Sequence, residues 1–309
     1  MQSTRGRRKL RKIESLDDIL QVERMVGDNL EMTLDEEGVD PEAYFKVFRQ
    51  RRVWLVLMKL RFVWGRFLEA FVWEEDGKVI GTGTVRRASF GDARRWMLGN
   101  FAVSLGSRSE LGLLLILRRL AQRCVAHALA KGAEEIWADI PVETEALIRG
   151  LEHDGFTVID ELCYFRCARG SLRDLAGAAT GVGAVSFRRA SAGSTPRWMD
   201  ITAGRLVGFR SRAFEVREGE RAIAQVQLVS HPGSSLPRSV IEPRERLSTR
   251  SGKLLLACVG DLAPEESSNL VVVVPRSTEG LFAVLNGPGV GVEVSRRKRL
   301  CLLPREVVS

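Results

Sequence analysis

Apolar residues recur along this chain with helical spacing in some stretches and in short strand-like runs in others, and each pattern predicts an element. Leu98 to Val103 is a short apolar run read as a strand, and a loop from Leu105 to Ser109 follows it. Leu113, Leu117, Leu120, Cys124 and Ala128, with Leu114, Ala121 and Val125 beside them, then form one stripe of a long helix that faces a sheet. Gly132 stands where a left-handed residue ends such a helix. Glu135 to Ile140 reads as another strand, and Pro141 opens a short helix, favoured by Glu143 and Glu145, that closes near Gly155. Thr157 to Cys167 is strand again.

Before this stretch, Lys9 to Glu14 predicts a strand, and Ser15 with Asp17 and Asp18 predicts the capped start of a helix reaching about Asn29. Pro41 opens a second helical region to about Phe67. Phe71 to Trp73 and Val79 to Val85, joined by Asp76-Gly77, read as a hairpin with a type I′ turn. After it, Ala168 to Ala184 is rich in Gly and Ala without apolar period and reads as a linker. Then Val185 to Ala190 is strand-like, Thr195-Pro196 starts a helix to about Val207, and Phe214 to Val216 with Ala222 to Val229 suggests a hairpin turning at Gly219. Leu254 to Val259 reads as an apolar strand.

The chain partly repeats itself. The stretch from Ile136 aligns without a gap on the stretch from Leu270, so that Pro141, Thr144, Glu145, Leu147, Leu151, Gly155, Val158 and Cys167 coincide with Pro275, Thr278, Glu279, Leu281, Leu285, Gly289, Val292 and Cys301. Upstream, Leu98 to Val103 aligns on Val259 to Pro264 at a larger offset. The difference implies a second copy without the long helix. These patterns predict an α/β (α+β) protein of two mixed-sheet domains, residues 1–170 and 185–309, with a linker over 171–184 and no long helix in the second.

Composition narrows the function classes. With 309 residues and 45% hydrophobic content, the chain has room for two domains. Its five cysteines form no CxxC pair, and its three histidines stand in no metal-ligand spacing with them, so no metal site and a reducing, cytoplasmic compartment are expected. The most apolar region, Val53 to Trp73, is broken by Lys59, Arg61, Arg66 and Glu69, which argues against a membrane span. Net charge is +8, and 20 Lys/Arg against 13 Asp/Glu from Ser171 onward place most of the excess in the second half.

The stretch from Leu98 to Phe156 resembles the core of the GNAT acyltransferases, which move an acyl group from coenzyme A, most often to an amine. In that family an apolar-Ala-Val strand end leads through Arg/Gln-x-x-Gly-x-Gly/Ala into a helix whose N-terminus holds the pyrophosphate. Phe101-Ala102-Val103 matches the strand end, Arg108 the motif Arg, and Gly155-Phe156 the Gly-Phe that closes the next helix. Leu111 and Leu113 stand on the two motif glycines, where a Cβ keeps a phosphate at a distance. The resemblance implies acetyl-CoA as cofactor, around Phe101, Ala102, Val103, Arg108, Ser109, Glu110, Leu111, Gly112 and Leu113. The same residues also read as a capping box, Ser107 to Glu110, that satisfies the helix internally.

The resemblance further implies that an amine attacks the thioester where two strands part, with a side chain taking the proton. Asp139, on one strand face with Trp137, is the candidate base, against a plain helix-capping role. The family's catalytic tyrosine position carries Leu151; Tyr164, on the last strand of this stretch, is a candidate acid, against a plain packed-aromatic role. Arg296, Arg297, Lys298 and Arg299 form a basic run that fits nucleic-acid phosphates or an acidic protein or, more commonly, a solvated strand edge. Two functions follow as expectations: N-acetyl transfer from acetyl-CoA to an unidentified amine, or a catalytically silent GNAT-like module binding protein or nucleic acid.

Overall fold

Local hydrogen bonding sets the first elements. Ser15 Oγ accepts the Asp18 amide at 3.1 Å, and the Asp18 carboxylate accepts the amides of Glu14 and Ser15 at 2.9 and 3.0 Å. This reciprocal cap starts a helix, α1, over residues 16–25. At the hairpin of β2 (Leu68–Glu75) and β3 (Lys78–Arg87), Asp76 and Gly77 have φ of 51° and 79°, the paired left-handed residues of the expected turn.

The computed structural model describes residues 8–25, 68–87, 94–104, 109–177, 185–189, 210–230 and 236–303. The helices expected over Pro41 to Phe67 and Thr195 to Val207 lie outside these residues, as does the expected end of α1. The remaining elements are β1 (Arg8–Lys12), β4 (Arg95–Val103), α2 (Glu110–Ala130), β5 (Glu135–Pro141), α3 (Glu145–His153), β6 (Thr157–Ala168) and α4 (Arg169–Asp174). They continue with β7 (Val185–Arg189), β8 (Arg210–Glu218), β9 (Arg221–Ser230), β10 (Arg238–Pro243), α5 (Thr249–Leu262), β11 (Asn269–Pro275), α6 (Glu279–Leu285) and β12 (Gly291–Leu302).

Two compact units result, and their boundaries fall inside strands. The first takes the chain up to residue 159 together with residues from 298 onward, and the second takes 160–297, apart from a short stretch outside the described residues. In the first unit the strand order is β1-β2-β3-β4-β5-β12, with β1–β2, β2–β3 and β3–β4 antiparallel and β4–β5 parallel. Its core packs α2 and α3 on one sheet face around Trp96, Leu120, Ile136, Ile148 and Leu151, and Leu300 of β12 is fully buried there. In the second unit the order is β12-β6-β11-β10-β9-β8-β7, with β10–β11 parallel, around a core of Phe165, Ile223, Ile241, Leu255 and Leu256. The start of the expected linker is packed structure: α4 buries Leu172, and Arg169 Nε donates to the Gly260 carbonyl at 2.9 Å.

The repeat seen from Ile136 has a structural counterpart. β5, α3 and β6 begin at Glu135, Glu145 and Thr157, and β11, α6 and β12 begin at Asn269, Glu279 and Gly291, in the register of the alignment. Thr144 and Thr278 each donate their amide to a proline carbonyl, Pro141 and Pro275, at 3.0 Å, and Gly155 and Gly289 both have positive φ.

The upstream alignment fails, and with it the expectation of a second half without the long helix. Leu254 to Val259 is part of α5, which joins β10 to β11 just as α2 joins β4 to β5. Ser248 caps α5 by accepting the Ser251 amide at 3.1 Å, and the buried residues Gly252, Leu255, Leu256, Val259 and Gly260 follow helical spacing. A six-residue apolar run has no period of its own, so only the cap and the wider spacing distinguish helix from strand.

α5 and α6 approach through glycines. A Cβ on Gly280 would lie 2.3 Å from the Leu247 carbonyl oxygen, while a Cβ on Gly150 in α3 meets nothing within 4 Å. Gly280→Ala is therefore expected to destabilise the protein by about 1–3 kcal/mol through overpacking. Gly150→Ala should stabilise it by up to about 1 kcal/mol through helix propensity. Urea unfolding of both variants checks this, and equal effects would show that the α5–α6 approach is looser than described.

Candidate active site

The site is organised by what β3 and β4 lack and what they add. A Cβ on Gly81 would lie 2.7 Å from Ile116 Cγ2, and one on Gly83 would lie 2.6 Å from Phe101 Cε1, so α2 and Phe101 lie directly on β3. Opposite, β3 advances from Thr82 to Thr84 while β4 runs from Ala102 back to Gly99, which is a bulge of one residue on β4. Asn100 sits in it with φ of 50°, a left-handed conformation that asparagine tolerates. The bulged residue leaves the ladder, so its backbone polar groups are released beside the strand end.

Parallel pairing of β4 with β5 runs from Arg95–Glu135 to Leu98–Ala138 and stops there, although β4 continues to Val103 and β5 to Pro141. The two strands part at this point. Ala102 and Val103 are buried, Phe101 is half-buried against the core, and the Ser104 amide holds the end of β4 to the Ile80 carbonyl at 2.9 Å.

Arg108 and the proposed cap Ser107 lie outside the described residues. The residue that caps α2 is Ser109, whose Oγ accepts the Gly112 amide at 3.3 Å. This corrects the expected box from Ser107 to Glu110: a cap at Ser109 places Gly112, with no side chain to reciprocate, at the third helical position. The amides of Glu110 and Leu111 precede any partner within the helix, as at every helix start. Leu111 is 78% exposed and Leu113 packs on the first core, so the leucines on the two motif-glycine positions point apart.

The second unit has a helix start of different character. Ser248, Thr249, Ser251 and Gly252 surround the beginning of α5 with small side chains, and Arg250 and Lys253 add positive charge. Gly252 has a packing reason, since its Cβ would lie 3.2 Å from the Gly280 carbonyl oxygen.

On β5, Ile136, Ala138 and Ile140 face the core while Glu135, Trp137 and Asp139 face the other way. Arg95 Nε donates to Glu135 at 2.7 Å and its guanidinium lies 3.9 Å from the Trp137 ring centroid. From β12, the Arg299 guanidinium lies 4.8 Å from the same centroid and donates to both Asp139 oxygens, at 2.9 and 3.1 Å. Asp139 thus does not cap α3; Thr144 is the residue at that position. Tyr164 belongs to the second unit, buried with Leu162, Val271 and Val273 and flanked by the guanidiniums of Arg238 and Arg297 at 5.5 and 5.4 Å. In the basic run, Arg296 pairs with Glu293 at 2.8 Å and Arg299 is buried against Asp139, so the run is not one solvated strip.

Arg95, the pairing of Arg299 with Asp139 and the bulge at Asn100 escaped the sequence reading. The Gly99-Asn100 pair inside an apolar strand is a usable bulge signal. Arg299 has no local signal, because its partner is far away in sequence. Among the described residues no group of three or more His, Cys, Asp and Glu side chains converges as a metal site, and no helix is long and apolar enough to cross a membrane.

No protein-family model and no curated protein matches this chain. Solved structures do. A protein assigned as an acetyltransferase from Pyrococcus horikoshii is 12% identical with a TM-score of 0.54, over 98% of this chain and 91% of that one. A GCN5-related N-acetyltransferase from Sphaerobacter thermophilus is 11% identical with a TM-score of 0.52, over 95% of each chain. The chain has the GCN5-related N-acetyltransferase fold. At these identities the likeness extends to the fold alone, and the chemistry has to be argued from the side chains.

α2 and α3 are joined beside this site by a charged clamp. Arg118 Nε donates to both Asp154 oxygens at 3.0 Å, and Gln122 adds a third donor at 3.2 Å. The bond from Arg118 holds the Asp154 carboxyl below the usual carboxylate range, against the opposing effect of burial. Because the folded value lies below the unfolded one, about 3.9, this stabilisation is complete above that pH and is lost as pH falls through the folded value. Thermal midpoints measured between pH 2 and 7 should fall less steeply on the acid side for Arg118→Gln than for the parent. Parallel curves would show that the clamp contributes nothing to acid stability.

Proposed function

We propose that this chain is an N-acetyltransferase of two tandem GNAT-like halves, transferring acetyl from acetyl-CoA to an amine. The observation that carries the reading is the parting of β4 and β5 after Leu98–Ala138, next to the bulge at Asn100 and the start of α2. Parallel strands that separate leave unpaired backbone groups on both edges, and such groups are preorganised donors for a developing oxyanion. The conserved element order of the two halves and the match of β5-α3-β6 to β11-α6-β12 support the tandem reading.

The residues present fit the cofactor in part. The amides of Glu110 and Leu111 would face its diphosphate, with Ser109 and Gly112 already bonded to each other. Ala102, Val103 and Phe101 would flank the pantetheine side. When bound, acetyl-CoA would supply an activated acetyl thioester, with the CoA thiolate as leaving group. The chain's own part is to hold the carbonyl at the bulge amides and to offer the Asp139 carboxylate to the amine proton. Asp139 accepts that proton with the lone pairs that Arg299 leaves open.

Calorimetry of the full chain with acetyl-CoA tests this reading: binding in the micromolar range is expected, and no heat at millimolar acetyl-CoA would leave the silent binding module instead. Each half contains a capped helix start, at Ser109 and at Ser248, so the two starts are compared directly. Leu111 is exposed and Thr249 is exposed, so a glutamate at either should leave the fold intact while repelling a phosphate. Leu111→Glu is expected to weaken binding at least about ten-fold, or about 1.4 kcal/mol, and Thr249→Glu to leave it unchanged. The reverse outcome would move the seat to the second half.

A further inference from the structure

Asp139 is the first β5 residue beyond the last β4–β5 pair, so it stands where the two strands separate. Its orientation is set from the other side of β5. We propose that Arg299 is a positioning residue for the transfer reaction, fixing the Asp139 carboxylate at the parting of β4 and β5 so that its remaining lone pairs meet the acceptor amine. This rests on the reading above that Asp139 takes the amine proton.

Two features separate such a role from a surface ion pair. The first is geometry: Nε and Nη2 of Arg299 donate in parallel to Oδ1 and Oδ2 at 2.9 and 3.1 Å, which fixes both the plane and the rotation of the carboxylate. The side chains are only 10% and 18% exposed, so neither swings freely in water. A carboxylate offers about four lone-pair directions, and the fork uses two of them. The second is the support behind the fork. Trp137 lies under the Arg299 guanidinium at 4.8 Å and under that of Arg95 at 3.9 Å, and Arg95 is tied to Glu135 at 2.7 Å. Glu135, Arg95, Trp137, Arg299 and Asp139 therefore form one braced ladder across β4, β5 and β12 that ends on the carboxylate at the cleft.

The same ladder assigns Arg299 a direction. Its guanidinium is turned to Asp139 and Trp137, so the last residue of the basic run acts inside the first unit rather than on nucleic-acid phosphate. Lysine in its place would keep the charge but lose the planar fork and the ring contact.

The test uses the full chain as parent, Arg299→Lys, and the double variant Asp139→Asn with Arg299→Gln, whose neutral amides leave no buried charge unpaired. Three readouts are taken: thermal midpoint, acetyl-CoA affinity by calorimetry, and CoA thiol release above the uncatalysed rate with hydroxylamine as acceptor. The double variant should keep the parent's midpoint within a few degrees and its acetyl-CoA affinity, while kcat falls by about 10²-fold or more. Arg299→Lys should keep acetyl-CoA affinity and lose about ten-fold or more in kcat, with a smaller change in KM for hydroxylamine. Parental kcat in the double variant or in Arg299→Lys would overturn the proposal, because the pair would then serve the fold alone. A parent that releases no CoA above background fails one step earlier, at the transferase reading itself.

Discussion

The first unit is completed by residues from the far end of the chain, and most of its candidate chemistry depends on that return. Leu300 is fully buried in the first core, the Cys301 carbonyl accepts Thr157 Oγ1 at 3.2 Å, and Arg299 grips Asp139. A core residue contributed from so far along the sequence is held by long-range contacts, whose loop-closure cost grows only slowly with the length between them. The fold therefore couples the integrity of the last strand to the geometry of β5. A change that loosens residues 298–302 reaches the Asp139 carboxylate without touching β4, β5 or α2.

A second constraint is the closeness of α2 to β3. Gly81 and Gly83 leave room for Ile116 and Phe101, and the bulge at Asn100 supplies the extra residue that lets β4 turn off beside them. The packing of Ile116 and Leu120 on β3 fixes α2 on this sheet, and the helix start carries the backbone donors of Glu110 and Leu111. Ser109 draws on the Gly112 amide for its own cap. The cap and an anion compete for the same N–H groups, so the more completely the helix is finished internally, the weaker its pull on a phosphate.

Elements whose cause is local were legible in the sequence. Asp76-Gly77 announced its hairpin, Ser15 with Asp18 announced α1, and the stripe from Leu113 to Ala128 announced α2, because turn chemistry, capping and period act over a few residues. Leu254 to Val259 misled, since three consecutive leucines followed by Ala, Cys and Val look apolar on every side and conceal the helical spacing of Gly252, Leu255 and Val259. The outward face of Asp139 on β5 was legible from strand alternation, but its pairing with Arg299 and the contact of Arg95 with Trp137 were not, because those contacts join residues far apart in sequence. The basic run was read as a surface feature for the same reason: on a strand, neighbours face opposite ways, and the partners of each face are set by the sheet.

The aligned halves differ most where the chemistry would be. At the register that superposes Pro141 on Pro275, Trp137 and Asp139 fall on Val271 and Val273, which are buried with Leu162 and Tyr164. A carboxylate there would lie among apolar side chains, where an unpaired charge is costly. The second half keeps the strand-helix-strand framework and a helix start with small side chains, but its β11 face has no group that accepts a proton. The first half carries the Asp139 carboxylate on the corresponding face of β5, and exposed Leu111 near its helix start. Packing constrains the core-facing residues of β5 and β11 alike, whereas their opposite faces carry a charged ladder on β5 and buried valines on β11.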